Sequence, residues 1–134
     1  MLDTLPAEST LGTAAAMLRP VCRCKIHHAT VTDASVNYVG SMTIPEDLMR
    51  RLNIVEGEQV DVANVNNGER WTTYAIAGKK PGAFSLNGAA ARLGCIGDKL
   101  IIMIYAMLDE KELANYRIRI AFMDEKNTVA RLQE

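Results

Sequence analysis

Short stretches of alternating apolar and polar residues, separated by turn signals, constrain the fold of this chain more than any other feature. Period-two alternation is typical of β-strands. We expect strands at residues 22–31, 37–44, 59–65, 70–77, 83–86, 99–107 and 116–123. Helices are expected only at 45–52, 88–93 and 109–114. In a chain of 134 residues, many short strands and few short helices predict one mainly β domain, a small closed or partly closed barrel.

Two local signals indicate where the chain turns and where its first helix begins. Asn66-Asn67-Gly68 predicts a hairpin between the third and fourth strands, because Asn and Gly tolerate positive φ. Pro45 is expected to open the first helix, since proline is favoured at the start of a helix and two carboxylates follow it.

Alternation also assigns side chains of the first strand to two faces. One face is expected to carry Cys22, Cys24, Ile26 and His28, and the other Arg23, Lys25 and His27. The stretch 99–107 differs, because it is an almost continuous apolar run. Such a run predicts a strand that is buried on both faces.

Composition excludes several classes of protein. Apolar residues make up 49% and charged residues 23%, so a packed core is expected and disorder is not. The net charge of -1 gives no general attraction to nucleic acid, and no apolar run is long enough to cross a membrane. The N-terminus lacks the pattern of a signal peptide, so we expect a cytoplasmic protein without nucleic-acid or membrane partners. Residues 1–16 are expected to be a flexible extension of the domain 17–134, with Met17 an alternative start.

Three cysteines in a reducing compartment predict free thiols. Cys22 and Cys24 with His27 or His28 allow the alternative of a metal site. Zinc sites usually need a second ligand pair, which Cys95 alone does not supply, so we expect no metal.

Four features could carry chemistry, and each has a simpler structural interpretation. Gly40–Ser41 interrupts an extended stretch, although such a pair is usually a turn. Lys25 and Arg70 lie at strand positions, where cations are usually surface charges. Tyr74 shares a face with Arg70, but a strand tyrosine is usually a packing residue. The segment starting at Asn87 could bind an anion through free helix N–H groups, or simply cap a helix.

Taken together and in order, these elements resemble a known family. The pattern runs from Lys25-Ile26-His27 and Tyr38-Val39-Gly40-Ser41 to Asn67-Gly68-Glu69-Arg70-Trp71-Thr72-Thr73-Tyr74 and Asn87-Gly88-Ala89-Ala90-Ala91. It resembles the aspartate 1-decarboxylase family from about residue 17 to about residue 107. The resemblance implies a double-psi β-barrel that forms a homotetramer with active sites at subunit boundaries.

The resemblance further implies a precursor that cuts itself between Gly40 and Ser41. The products would be a short N-terminal β-chain and a longer C-terminal α-chain. The Ser41 hydroxyl would attack the Gly40 carbonyl, and Ser41 would end as a covalent pyruvoyl group. Thr73 would stabilise the oxyanion of this step. Period two, however, puts Thr73 on the face opposite Arg70 and Tyr74.

The activity implied is decarboxylation of L-aspartate to β-alanine and CO2 through a pyruvoyl Schiff base, which supplies β-alanine for pantothenate and coenzyme A biosynthesis. Arg70 would anchor one substrate carboxylate, Lys25 the other, and Tyr74 would donate the proton. The pyruvoyl group would be cradled by Asn87, Gly88 and Ala89, with His27 and Tyr38 in supporting positions. Some members need an accessory maturation protein, and the divergent C-terminal tail leaves that partner open.

A competing interpretation is a non-enzymatic barrel that serves as a DNA-binding or adaptor module. Such a module would need a basic face or a peptide groove, and would have no use for Gly40–Ser41. The near-zero net charge weighs against DNA binding.

Overall fold

A computed structural model describes residues 17–134. Those residues form nine strands, two α-helices and one 3₁₀ helix. The strands are β1 (Arg19–Thr30), β2 (Asp33–Ser35), β3 (Ser41–Pro45), β4 (Gln59–Asn64), β5 (Arg70–Gly78), β6 (Ser85–Asn87), β7 (Lys99–Leu108), β8 (Arg119–Met123) and β9 (Val129–Gln133). The helices are α1 (Glu46–Arg51), α2 (Glu110–Leu113) and the 3₁₀ helix Gly88–Arg92. No helix among the described residues is long and apolar enough to cross a membrane.

The strands join in the hydrogen-bonded order β2-β6-β3-β5-β4-β7-β1-β8-β9. Three of the pairs are parallel, β1 with β8, β2 with β6 and β3 with β5. The predicted mainly β class is confirmed, and the arrangement is consistent with a small barrel. Within the described part of the chain the order ends on β2 and β9 and does not return on itself. The double-psi connection stays a prediction.

One hydrophobic core lies under the sheet. Its fully buried members come from alternate positions of several strands, among them Ile26, Met42, Val62, Leu86 and Ile102. Helix α1 adds Leu48 and Met49 from one side. Period-two alternation therefore fixes two faces for most strands, one toward the core and one away from it.

The predicted turn signals are confirmed. The Asn66-Asn67-Gly68 segment closes the antiparallel pair β4–β5, and Gly68 has a φ of 78°. Pro45 is the N-cap of α1, which ends in two basic residues that complement the helix dipole.

The predicted faces of the first strand are wrong at both ends. Cys24 and Ile26 are buried as expected, but the register of β1 against β7 shifts between Cys22 and Cys24 and again between His27 and Ala29. His28 has a φ of 65°, and Ala29 takes the inward position instead. An extra residue in one strand reverses the faces that follow it, and the period-two pattern does not reveal it.

Other predictions were also wrong. The strand 99–107 is not buried on both faces: in β7, inward residues such as Ile102 and Ile104 alternate with partly exposed ones. The stretch 37–44 becomes a strand only at Ser41, after a series of exposed bends. The expected strand 83–86 lies later, at Ser85–Asn87, and the short edge strands β2 and β9 were missed.

Candidate active site

The Gly40–Ser41 bond lies where exposed bends enter the sheet. Residues 36–40 are exposed, whereas Ser41, the first residue of β3, is only 2% exposed. Ser41 pairs with Asn87 across the antiparallel β3–β6 ladder. The bond thus joins a surface segment to a serine that is fixed by strand hydrogen bonds.

The Asn87 side chain contacts the Ser41 hydroxyl directly. Asn87 is 6% exposed, and its Nδ2 donates to Ser41 Oγ at 2.8 Å. The same nitrogen donates to Thr43 Oγ1 at 2.9 Å. The sequence singled out Asn87 and Ser41 but missed Thr43, for which the only signal was that it shares the Ser41 face by period two.

Gly88 packs against the backbone that precedes the Gly40–Ser41 bond. Its φ is 77°, and a Cβ placed on Gly88 would lie 2.8 Å from Gly40 Cα and 2.9 Å from the Tyr38 carbonyl oxygen. Only glycine fits a left-handed backbone in such close contact with another segment. Asn87 and Gly88 therefore hold the two sides of the bond, the serine hydroxyl and the glycine backbone.

Tyr74 lies on the strand beside Ser41. In the parallel pair β3–β5, Met42 is opposite Ala75, and both are buried in the core. The residues one position earlier, Ser41 and Tyr74, are therefore neighbours on the face away from the core.

The predicted site residues of β5 lie on two opposite faces, as period-two alternation predicted. Arg70, Thr72 and Tyr74 are exposed, whereas Thr73 is partly buried and points with Ala75 to the inward side. The hydrogen bond to the Ser41 hydroxyl comes from Asn87, not from Thr73.

Lys25 lies on the same outer face, but three strands away from β5. A lateral row of paired residues joins Thr72 to Asp61, Asp61 to Met103 and Met103 to Lys25. Three strand spacings correspond to roughly 14 Å. The fold therefore places Lys25 and Arg70 on one face, and it does not bring Lys25 next to Ser41 within this chain.

The supporting residues differ in environment. The His27 ring stacks on His28 with centroids 3.9 Å apart and meets the edge of Phe122 at 5.4 Å. Burial lowers the pKa of His27, and the charges of His28 and Lys25 lower it further. Tyr38 is 58% exposed, although its carbonyl faces Gly88.

Cys22 and Cys24 both lie on β1, where Cys22 is partly buried and Cys24 is buried. Burial raises the pKa of Cys24 to about 11 and also raises that of Cys22, so neither is an activated thiolate. Residues 17–134 contain no group of three or more His, Cys, Asp or Glu side chains that could hold a metal ion.

The fold and the site define a class of protein, small and mainly β, with a buried serine at the start of a strand. An asparagine amide on the neighbouring strand donates to that serine, and the glycine before the serine packs against a second glycine. A family model described as aspartate decarboxylase matches residues 17–130. Three relatives are each named aspartate 1-decarboxylase. The protein of Caldicellulosiruptor bescii is 52% identical over 119 residues, 88% of this chain and 93% of that one. The protein of Aliarcobacter butzleri is 53% identical over 106 residues, 78% of this chain and 84% of that one. The protein of Carboxydothermus hydrogenoformans is 48% identical over 119 residues, 88% of this chain and 94% of that one.

This chain belongs to the aspartate decarboxylase family. The expectation of a decarboxylase, which is a lyase, is thereby confirmed, and so is the expectation of pyruvoyl-dependent chemistry at the level of the family. The alternative of a non-enzymatic barrel module is wrong.

Proposed function

We propose that this chain cuts itself between Gly40 and Ser41 and then converts L-aspartate to β-alanine and CO2 in the cytoplasm, supplying β-alanine for pantothenate and coenzyme A biosynthesis. The observation that carries the proposal is the pair of contacts around one bond. Asn87 Nδ2 is 2.8 Å from Ser41 Oγ, and Gly88 packs directly on Gly40.

The cleavage needs only groups of this chain and water. Ser41 Oγ attacks the Gly40 carbonyl carbon, the peptide C–N bond breaks, and the Ser41 nitrogen leaves as an amine that takes up the hydroxyl proton. The resulting ester loses the Ser41 α-proton and expels the Gly40 carboxylate. Water then replaces the nitrogen of the dehydroalanine, and ammonia departs. A ketone remains at the position of Ser41.

The residues around Ser41 fit a pyruvoyl group. The Asn87 amide lies beside Ser41, where the ketone would form on the Cα in place of the Ser41 nitrogen, and an amide N–H is a suitable donor to a carbonyl oxygen. Asn87, Gly88 and Ala89 would hold the group. Bound there, the pyruvoyl ketone supplies the electron sink for loss of CO2 from an amino acid.

The remaining site residues are assigned from their charge and from their position on the outer face of the sheet. Arg70 presents a planar fork suited to one carboxylate of aspartate, and Lys25 is the second cation for the other. Tyr74, the strand neighbour of Ser41, would donate the proton that replaces CO2. Thr73 would serve the oxyanion during cleavage, although its inward direction requires that the Gly40 carbonyl turn toward it.

A second subunit would complete the site. Lys25 is separated from β5 by three strand spacings in this chain, so Lys25 and Arg70 do not lie on neighbouring strands beside Ser41. Large apolar side chains are also exposed, among them Tyr38, Tyr105 and Met107. Both observations support a homotetramer with active sites at subunit boundaries. A monomer in sedimentation at micromolar concentration would contradict it.

The decisive experiment is the intact mass of the purified chain under denaturing conditions. We expect two fragments, residues 1–40 and residues 41–134 with a blocked pyruvoyl terminus. Ser41→Ala should give a folded, uncut and inactive chain, whereas Thr30→Val, in which a strand hydroxyl far from this bond is lost, should be cut and active. A single uncut chain that still forms β-alanine would refute the proposal.

A further inference from the structure

The side-chain amide of Asn87 donates to two hydroxyl groups, those of Ser41 and Thr43. Nδ2 lies 2.8 Å from Ser41 Oγ and 2.9 Å from Thr43 Oγ1. Ser41 and Thr43 are two residues apart on β3, so their side chains stand on the same face. Asn87 is directly opposite Ser41, and Thr43 is its diagonal neighbour.

The Thr43 side chain is held in one orientation by its methyl group. A Cβ on Gly78 would lie 2.6 Å from Thr43 Cγ2, so the methyl group occupies the space that Gly78 leaves free on β5. A threonine has few accessible χ1 angles in a strand. With the methyl group fixed against Gly78, the hydroxyl is directed at Asn87.

An asparagine amide needs such an anchor. Rotation about its last side-chain torsion is broad, so one hydrogen bond to a serine leaves the direction of the donor poorly defined. A second acceptor on the same nitrogen fixes the plane of the amide.

We propose that Thr43 is a positioning residue, which orients the Asn87 amide toward Ser41 and thereby speeds cleavage of the Gly40–Ser41 bond. The effect on cleavage rests on the proposed function, whereas the orientation of the amide does not. Thr43 itself touches neither the scissile bond nor the substrate in this assignment, and it acts through Asn87 alone.

Two substitutions separate this role from simple packing. Thr43→Val keeps the methyl group on Gly78 and loses the hydroxyl, whereas Thr43→Ser keeps the hydroxyl and loses the methyl group. The chain is synthesised in vitro, and its cleavage is followed by intact mass. We expect Thr43→Val to slow cleavage about tenfold, as loss of about one net hydrogen bond would do, and Thr43→Ser to restore the rate to within about twofold.

Melting temperature should rank the variants in the opposite order, with Thr43→Ser below Thr43→Val, because the packed methyl group is lost. The matched control is Thr30→Val, another strand threonine whose hydroxyl accepts from a side-chain nitrogen, that of Lys99. It should be cut at the wild-type rate. Wild-type cleavage by Thr43→Val, or equal slowing in Thr43→Val and Thr43→Ser, would overturn the proposal.

A second measurement is independent of cleavage. In the uncut Ser41→Ala chain, the Asn87 side-chain amide protons are assigned by NMR through their loss in Asn87→Asp. We expect their exchange with solvent to be faster with Thr43→Val and unchanged with Thr43→Ser. Unchanged exchange with Thr43→Val would refute the positioning role, whereas a wild-type chain that is never cut would refute only the proposed function.

Discussion

Replacement of Gly88 by alanine should impair both folding and cleavage, and the structure gives the size of each effect. The new Cβ would lie 2.8 Å from Gly40 Cα, whereas carbon atoms normally approach to roughly 3.5 Å. The two backbones must therefore separate by about 0.7 Å. Overpacking of this kind costs roughly 1–3 kcal/mol, and a φ of 77° costs alanine about 1–2 kcal/mol more.

Gly57→Ala is the matched control. Gly57 has a φ of 88°, and nothing lies within 4 Å of a Cβ placed there. It carries the backbone penalty without the collision, so the difference between the two variants isolates the contact with Gly40. We expect Gly88→Ala to lower the free energy of unfolding by about 1–3 kcal/mol more than Gly57→Ala does.

Stability is measured by urea unfolding in the uncut Ser41→Ala chain at one protein concentration, since association would otherwise shift the midpoint. Cleavage is measured by intact mass in the chain that retains Ser41. A displacement approaching 1 Å at the attacked carbonyl should slow cleavage by about tenfold to a hundredfold. Equal destabilisation and equal cleavage in Gly88→Ala and Gly57→Ala would show that the packing of Gly88 on Gly40 has no role.

Two further predictions concern the outer face. Arg70→Lys should leave cleavage normal but reduce β-alanine formation roughly 30-fold or more, because the fork that binds a carboxylate is lost; turnover equal to that of the exposed-cation control Arg50→Lys would contradict this. His27 should titrate below its ordinary pKa of 6.5, and His28→Asn should return it only part of the way, since burial is the larger cause. The unfolded chain protonates His27 at a higher pH than the folded chain does. The free energy of unfolding should therefore decrease as the pH falls from 6.5 toward the pKa of His27 in the folded chain. NMR titration of the ring protons and unfolding at several pH values test this, and a pKa at or above 6.5 would refute it.

The sequence by itself determined the elements whose cause lies within a few residues. The β4–β5 hairpin follows from Asn66-Asn67-Gly68, and the start of α1 follows from Pro45. Alternation predicted that Thr73 and Tyr74 point to opposite sides, since side-chain direction in a regular strand depends only on position. The family and its decarboxylase chemistry were also readable in the sequence, from several weak patterns in a fixed order.

Only the tertiary structure decided how distant segments meet. Asn87 reaches Ser41 and Thr43 over 46 and 44 residues of chain, through a strand pairing that no local pattern specifies. The bulge at His28 reversed the predicted faces, because the alternation of apolar and polar residues does not show where one residue is inserted into a strand. From the sequence alone, Gly88 is an ordinary glycine at the start of a helix. In the fold a side chain has no room there, because the backbone of Tyr38 and Gly40 lies against it. Local conformational preferences are encoded in adjacent residues, whereas a site built across strands depends on packing that the whole chain determines together.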